Sequence, residues 1–262
     1  MKKPLLYTFL LILIGHYNYG QKVTVTDYRV KYSDIKKKAI NYSDEIGENS
    51  LIIFPIIKTE NQKIERKIQF EILKSLQLDT LLINYPIKTI VDSSAFYGLT
   101  SMNYQISFNK NDLISLTIVY HHCGANCWTT KVFLNFNISN GKLITINDII
   151  NPLDKDIFNK QVLKNKQTQL TLFKDSLINQ FDTLKSNDEK GNYKYIIEEV
   201  ENCEKSVYLD EFLIKENTIT FYDKCFWAYY LSDYEPELYL TYDLRDNSKY
   251  FKIDFIEMVT KK

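Results

Sequence analysis

Alternating apolar and polar residues fill the middle of the chain and return near its C-terminus. Apolar side chains occupy every second position within 102–108, 114–120 and 132–136, and again within 238–244. Because successive side chains of a β-strand point to opposite faces, this alternation predicts strands with one buried face. The short polar turns "NKND" and "SNGK" separate the first three runs, which therefore predict an antiparallel β-meander.

Other short apolar runs extend this strand content. Residues 22–32 ("KVTVTDYRVKY") alternate, and "DEFLIKENTITFYD" at 210–223 predicts a second hairpin. Residues 51–58 ("LIIFPIIK") predict an apolar strand, in which Pro55 indicates an edge position or a bulge.

A different period marks the helices. Four apolar residues recur at helical spacing from Ile64 to Leu76, and a capping box of Thr59 and Gln62 places the helix at about 60–77. Spaced apolar positions predict a second helix over 154–185, broken near Thr168. Antiparallel sheet with helices packed on it makes this a single α+β domain.

The N-terminus has the three parts of a secretory signal peptide. Lys2 and Lys3 precede an apolar stretch over residues 5–14, and Gly20 is a small residue suited to cleavage before Gln21. An uncleaved N-terminal anchor is the alternative. We predict a signal peptide over 1–20, a domain over 21–262 and a secreted or periplasmic location. No later apolar run approaches the ~18 residues of a membrane helix, so no transmembrane segment is expected after cleavage.

The net charge of the chain argues against one class of partner, the nucleic acids. After removal of the two lysines of the signal peptide, 31 basic and 33 acidic side chains remain, which gives a net charge of −2. This balance offers no basic excess for nucleic acid, and we predict no nucleic-acid binding.

The segment "YHHCGANCWTT" (120–130) concentrates the reactive residues of the chain. All four cysteines lie in the exported part, where an even number favours disulfide bonds. Facing strands would bring Cys123 and Cys127 within bonding distance, which favours that pair and, by elimination, Cys203 with Cys225. The competing arrangement joins the loop to the later part of the chain.

The same segment has two chemical alternatives. His121 or His122 could join the two thiols around a metal, but the spacing departs from usual zinc sites, so we predict no metal and no cofactor. Either histidine could instead act as the general base of an envelope hydrolase. Because no G-x-S-x-G or H-E-x-x-H motif is present, we predict no catalytic residues and a protein that is not an enzyme.

Aromatic residues near the C-terminus are candidates for ligand binding, with core packing as the alternative role. The segment "CFWAYYLSDYEPELYLTY" (225–242) is rich in them, and tyrosine and tryptophan suit the recognition of sugar rings or proteins. The predicted binding residues are His121, Trp128, Tyr229, Tyr230 and Tyr234.

Four segments carry a resemblance to a known family. They are "NQKIERKI" (61–68), "YQISFNKNDLISLTIVYHHCGANCW" (104–128), "LNFNISNGKLITINDII" (134–150) and "FLIKENTITFYDKCFWAYYLSDYEPELYLTYDL" (212–244). Their order resembles the extracytoplasmic domain of unknown function shared by the lysozyme-sensing anti-sigma-V factor RsiV and the N-terminal part of the peptidoglycan deacetylase PdaC. The resemblance covers about residues 51–250.

The resemblance implies a non-catalytic module of the cell envelope. It implies a lysozyme-like protein or a cell-wall glycan as the ligand. The chain departs from the family pattern in two loops: Cys127 stands where the family has a histidine, and 226–230 lack the family's proline and glycine. The membrane helix and sigma-binding segment of the anti-sigma relative and the metal motif of the deacetylase are also absent from the sequence, so neither activity is implied.

Overall fold

The computed structural model describes residues 23–31, 34, 50–78, 84–124, 127–181, 187–225 and 235–260. The predicted signal peptide and the tyrosines Tyr229, Tyr230 and Tyr234 lie outside the described residues.

Within the described residues, six strands form a sheet whose spatial order follows the order of the chain. They are β1 (Thr24–Lys31), β2 (Leu51–Lys58), β3 (Leu99–Lys110), β4 (Leu113–Cys123), β5 (Cys127–Asn137) and β6 (Lys142–Leu143). Strands β3 to β6 pair antiparallel, as the alternation predicts. Strands β2 and β3 instead pair parallel, through Ile52 and Met102, so the sheet is mixed.

Two helices fill the crossover between the parallel strands β2 and β3. Helix α1 spans Gln62–Ser75 and helix α2 spans Ile87–Phe96. The buried residues of α1 include Ile68, Ile72 and Leu73, which pack against the sheet together with apolar residues of β2, β3 and β4. The helical periodicity of this segment therefore reflects one face turned towards the first hydrophobic core.

A second sheet of three antiparallel strands follows later in the chain. It contains β7 (Phe212–Lys215), β8 (Thr218–Asp223) and β9 (Leu238–Asp243). Its core includes Phe158 from helix α4 (Lys155–Phe181) and residues of the short helix α3 (Ile146–Ile149) and of helix α6 (Ile253–Thr260). A third apolar cluster joins α4 to helix α5 (Asn187–Cys203).

The second sheet covers part of the other face of the first. Ser115 of β4 and Asn135 of β5 are both buried. The Asn135 side-chain amide donates to the Phe212 carbonyl (2.8 Å), and the Ile214 N–H donates to the Ser115 hydroxyl (3.1 Å). Because these polar side chains satisfy backbone groups of β7, the face that alternation assigned to solvent is partly an interior surface.

The α+β class predicted from the sequence is confirmed, and so are most of its elements. Two local predictions are wrong. Asn61, not Thr59, caps α1, because its side chain accepts from the Lys63 N–H. Helix α4 is continuous at Thr168, whose hydroxyl bonds to the Lys164 carbonyl within the helix. Pro55 pairs with Asp27 of β1, and since β2 meets β3 only at Ile52, Pro55 lies at a locally unpaired edge of β2.

Candidate functional site

The hairpin of β4 and β5 places the histidine and cysteine residues in fixed register. Cys123 lies opposite Cys127, His122 opposite Trp128 and His121 opposite Thr129. A disulfide bond joins Cys123 and Cys127, whose Cα atoms are 4.1 Å apart, and a second joins Cys203 to Cys225. These are the two pairs that the sequence analysis favoured, and the strand pairing alone brings the first pair together.

His121 contacts the disulfide bond and a threonine. Its Nδ1 lies 3.0 Å from the Thr129 hydroxyl, and its Nε2 lies 3.5 Å from Cys123 Sγ. His121, Cys123 and Cys127 form the group whose ligand atoms, in the described part of the chain, lie close enough to hold a metal. Because both sulfurs are consumed in the disulfide bond, neither is available as a thiolate ligand.

His122 lies on the opposite face of β4 and supports a tryptophan. Its ring stacks on that of Trp128, with centroids 4.7 Å apart and planes 28° apart. Trp128 is 45% exposed, so this stack presents an aromatic face to solvent. Of the predicted binding residues, the structure therefore places Trp128 on an accessible surface.

This aromatic face is one wall of a cleft of about 470 Å³. The cleft lies between the hairpin and the ends of α1 and α2, and its lining also includes Tyr97, which is 71% exposed. Ser93, Ser94 and Gln77 add polar groups to the lining. The size falls within the ~300–1,000 Å³ typical of ligand sites.

Gly98 allows the cleft wall to close against the hairpin. Its φ of +116° lies in a region that favours glycine, and a Cβ there would lie 2.3 Å from the Cys123 carbonyl oxygen. The Cys123 N–H donates to the Gly98 carbonyl at 2.8 Å. Sequence reasoning missed Tyr97 and Gly98, because residues 78–100 show no clean period.

In the part of the chain that the structure describes, the contacts of the two histidines include no acidic side chain. Among the described residues, no carboxylate is hydrogen-bonded or ion-paired with His121 or His122, and the buried Nδ1 of His122 has no partner. A histidine base is ordinarily oriented by a carboxylate or a similar acceptor.

A second polar cluster links the two sheets. Lys131 of β5 forms an ion pair with Glu237 (2.8 Å) and donates to the Tyr239 hydroxyl (2.6 Å), while the Tyr222 hydroxyl donates to Glu237 (3.2 Å). The hydrogen bond from Lys131 holds the pKa of Glu237 below its usual range, and burial raises the pKa of Tyr222. Because every member is paired within the cluster, it ties β5 to β9 and offers no free reactive group.

The two disulfide bonds should differ in their contribution to stability. The Cys203–Cys225 bond closes a separation of 22 residues and the Cys123–Cys127 bond one of 4. By the chain-entropy relation, replacing Cys203 and Cys225 with serines should lower the free energy of unfolding by about 3 kcal/mol. Replacing Cys123 and Cys127 should lower it by about 2 kcal/mol. Urea unfolding of the two double variants measures these losses.

Mass spectrometry of non-reduced peptides tests the disulfide pairing. A peptide that joins Cys123 to Cys203 would contradict the pairing.

Solved structures show what the whole architecture is similar to. A member of the DUF3298 family from Bacteroides fragilis matches with a TM-score of 0.60 and 11% identity, over 93% of this chain and 100% of that one. The chain has the fold of DUF3298 proteins. A DUF3298 family protein from Pseudomonas aeruginosa PAO1 matches with a TM-score of 0.51 and 9% identity, over 92% of this chain and 97% of that one. No protein-family model and no curated protein matches the sequence.

These neighbours extend over nearly the whole chain at a low level of identity. They therefore establish its fold as that of a domain of unknown function, and the function has to be argued from the site. In the described residues, no helix is long and apolar enough to cross a membrane.

Proposed function

We propose that this chain is an exported, non-catalytic module of the cell envelope that binds a cell-wall glycan or a lysozyme-like protein through the Trp128 cleft. The observation that carries the proposal is the half-exposed Trp128, stacked on His122 in a cleft whose lining also includes the exposed Tyr97. Flat aromatic faces stack on sugar rings and are frequent anchors in protein interfaces.

The architecture of the site favours binding over catalysis. Its wall is rigid, because the disulfide bond, the strand pairing and the Cys123–Gly98 hydrogen bond all hold the hairpin end. A pre-formed surface loses little conformational entropy when a ligand binds. Among the described residues, Nδ1 of His122 has no hydrogen-bond partner, so the carboxylate that ordinarily orients a histidine base is not found there.

Export is the second part of the proposal. It is supported by the signal-peptide pattern of residues 1–20 and by the two disulfide bonds, since such bonds persist in oxidising compartments. The predicted cleavage site before Gln21 can be checked by N-terminal sequencing of the protein recovered from the periplasm or the medium.

The binding proposal is tested by replacing Trp128 with alanine. We expect the variant to lose at least about 10-fold in affinity for insoluble peptidoglycan or for lysozyme, because truncation of a central aromatic anchor commonly removes more than about 1.4 kcal/mol. Sedimentation with peptidoglycan measures the first affinity, and calorimetric titration with lysozyme measures the second.

Tyr195→Ala is the matched control. Tyr195 is an aromatic residue on α5 that is 59% exposed and does not line the cleft. Its loss should leave both affinities unchanged. Equal retention of the Trp128→Ala variant and the wild type, or no binding of the wild type to either probe, would rule out the proposed site.

A further inference from the structure

A second pocket lies at the other end of α1. It has a volume of about 440 Å³ and is bounded by β2, by the N-terminal half of α1 and by the segment 84–87 that leads into α2. None of its lining residues also lines the Trp128 cleft. At a rise of about 1.5 Å per residue, the seven positions from Gln69 to Leu76 separate the two sites by roughly 10 Å along α1.

The deepest polar group of this pocket is an unsatisfied donor. Gln69 is 9% exposed and lines the pocket, and its side-chain Nε2 has no hydrogen-bond partner among the described residues. A buried amide without a partner costs about 1–3 kcal/mol, so its persistence at a pocket wall points to an acceptor that a ligand supplies.

A positive charge stands three positions before Gln69. Arg66 lines the pocket on the same side of α1, since residues i and i+3 are neighbours on a helix. In the described part of the chain, its guanidinium makes no ion pair or hydrogen bond. A free guanidinium is a bidentate donor whose geometry matches a carboxylate.

The other charges in the pocket cancel. The carboxylate of Glu65 accepts from Lys58 Nζ (3.5 Å) and from the Thr59 N–H (2.9 Å), so these two opposite side chains form a pair. Arg66 therefore leaves one net positive charge among the described residues that line the pocket. A monocarboxylate balances this charge, whereas a phosphate dianion would exceed it.

The start of α2, which also lines the pocket, adds a weak attraction for an anion. Its N-cap residue Pro86 makes no side-chain capping bond. The first N–H groups of a helix have no intrahelical acceptor and carry partial positive charge. The rest of the lining is largely apolar and includes Ile57, Ile87 and Tyr85, which is 57% exposed.

We propose that this pocket binds the free C-terminal carboxylate of a short peptide. Arg66 and the Gln69 amide bind the carboxylate, and the side chain of the last peptide residue packs on Ile57, Tyr85 and Ile87. Carboxylate capture by convergent donors is a recurrent mode of peptide recognition. This site is independent of the glycan or protein ligand of the Trp128 cleft.

The experiment is an NMR titration of the purified ¹⁵N-labelled chain with acetyl-Ala-Ala. The Gln69 side-chain amide signal is assigned as the one missing from a Gln69→Leu variant. We expect this signal to shift on addition of the free acid. The C-terminal amide of the same peptide should leave it unchanged, because it lacks the negative charge. Acetate and inorganic phosphate distinguish a carboxylate on a peptide from a simple anion.

Variants separate the charge from general effects on the fold. Arg66→Gln should weaken binding of the free acid at least about 10-fold, as expected for loss of a bidentate charge-assisted pair. Lys63→Gln removes an equal charge from an exposed position of α1 outside the pocket and should bind normally. Trp128→Ala should also bind normally, so failure of the cleft proposal does not affect this one.

Four outcomes would overturn the proposal, and the first three concern selectivity and charge. They are equal shifts with the acid and the amide, tighter binding of phosphate or acetate than of the peptide acid, and undiminished binding by Arg66→Gln. Absence of any shift at millimolar peptide would overturn it as well.

Discussion

Replacing Lys166 with methionine is expected to lower the free energy of unfolding by about 3–5 kcal/mol, because it leaves a buried carboxylate without its partner. Lys166 of α4 and Asp223 of β8 form an ion pair of 3.0 Å, with side-chain exposures of 2% and 1%. The lysine also donates to the Ser206 carbonyl at 2.9 Å. Urea unfolding followed by circular dichroism measures the loss.

The loss in free energy of unfolding caused by Lys166→Met should depend on pH. Burial already raises the pKa of Asp223 above its ordinary value of 3.8, and Lys166 opposes that rise. Without the lysine, the folded state binds the Asp223 proton still more tightly than the unfolded state does. The free energy of unfolding of the variant must then fall as the pH rises above the ordinary aspartate pKa. In acid, the stability of Lys166→Met should therefore be closest to that of the wild type.

Two further variants identify the cause. Lys160→Met changes an exposed lysine of the same helix and should alter stability by no more than about 0.5 kcal/mol. The double variant Lys166→Met/Asp223→Leu removes both charges and should recover much of the loss, as replacement of buried ion pairs by apolar residues often does. Equal loss in the single and double variants would show that the ion pair is not the cause.

Phe158→Ala is the second change for which we expect a loss of about 3–5 kcal/mol, the range for deleting a buried phenylalanine ring. Phe158 is fully buried at the start of α4. Among the described residues, its ring contacts four other aromatic rings at centroid distances of 5.2–5.6 Å. These belong to Phe221, Tyr242, Tyr250 and Phe251. These rings come from β8, β9 and the segment before α6, so the cavity would weaken the aromatic packing between the start of α4 and the second sheet.

The matched control is Leu172→Ala in the same helix. Leu172 is 67% exposed, so removing its side chain should change the unfolding midpoint very little. Unfolding of Phe158→Ala can be followed by near-ultraviolet circular dichroism, which reports on the packed aromatic rings. A loss below about 1 kcal/mol would contradict the assignment of Phe158 as the centre of this core.

Local patterns were sufficient where one element determines its own face. The two-residue period located β3, β4, β5 and β9, and the 3.6-residue period located α1 to within two residues at each end. The position of Cys123 and Cys127 on either side of a turn was enough to favour their bond. In each case the structural signal lies between residues near in sequence.

Patterns failed where a distant segment supplies the environment. Ser115 and Asn135 sit on the polar side of an alternating strand, and nothing local indicates that β7 covers them. Lys166 has the sequence neighbourhood of a solvent-exposed residue, yet Asp223 lies 57 positions later and makes its burial tolerable. The parallel pairing of β2 with β3 likewise depends on the crossover through α1 and α2, which pack on the sheet.

The residues of the candidate site also fall into those that local sequence indicates and those that only distant contacts bring together. The sequence identified Trp128 and the histidines, because aromatic and reactive residues are conspicuous beside a cysteine pair. It could not identify Tyr97 or Gly98, nor Arg66 with Gln69 as parts of one pocket. Those assignments require knowing which helix ends meet the hairpin and strand β2.

By itself the sequence determined the α+β class, the strands of the central meander and the placement of the first cysteine pair on facing strands. These follow from periodicity and from contacts between residues close along the chain. Only the tertiary structure decided the mixed sheet, the buried Lys166–Asp223 pair and the two pockets at opposite ends of α1. Each of these depends on free energy gained when segments far apart in sequence exclude water together, which no local pattern records.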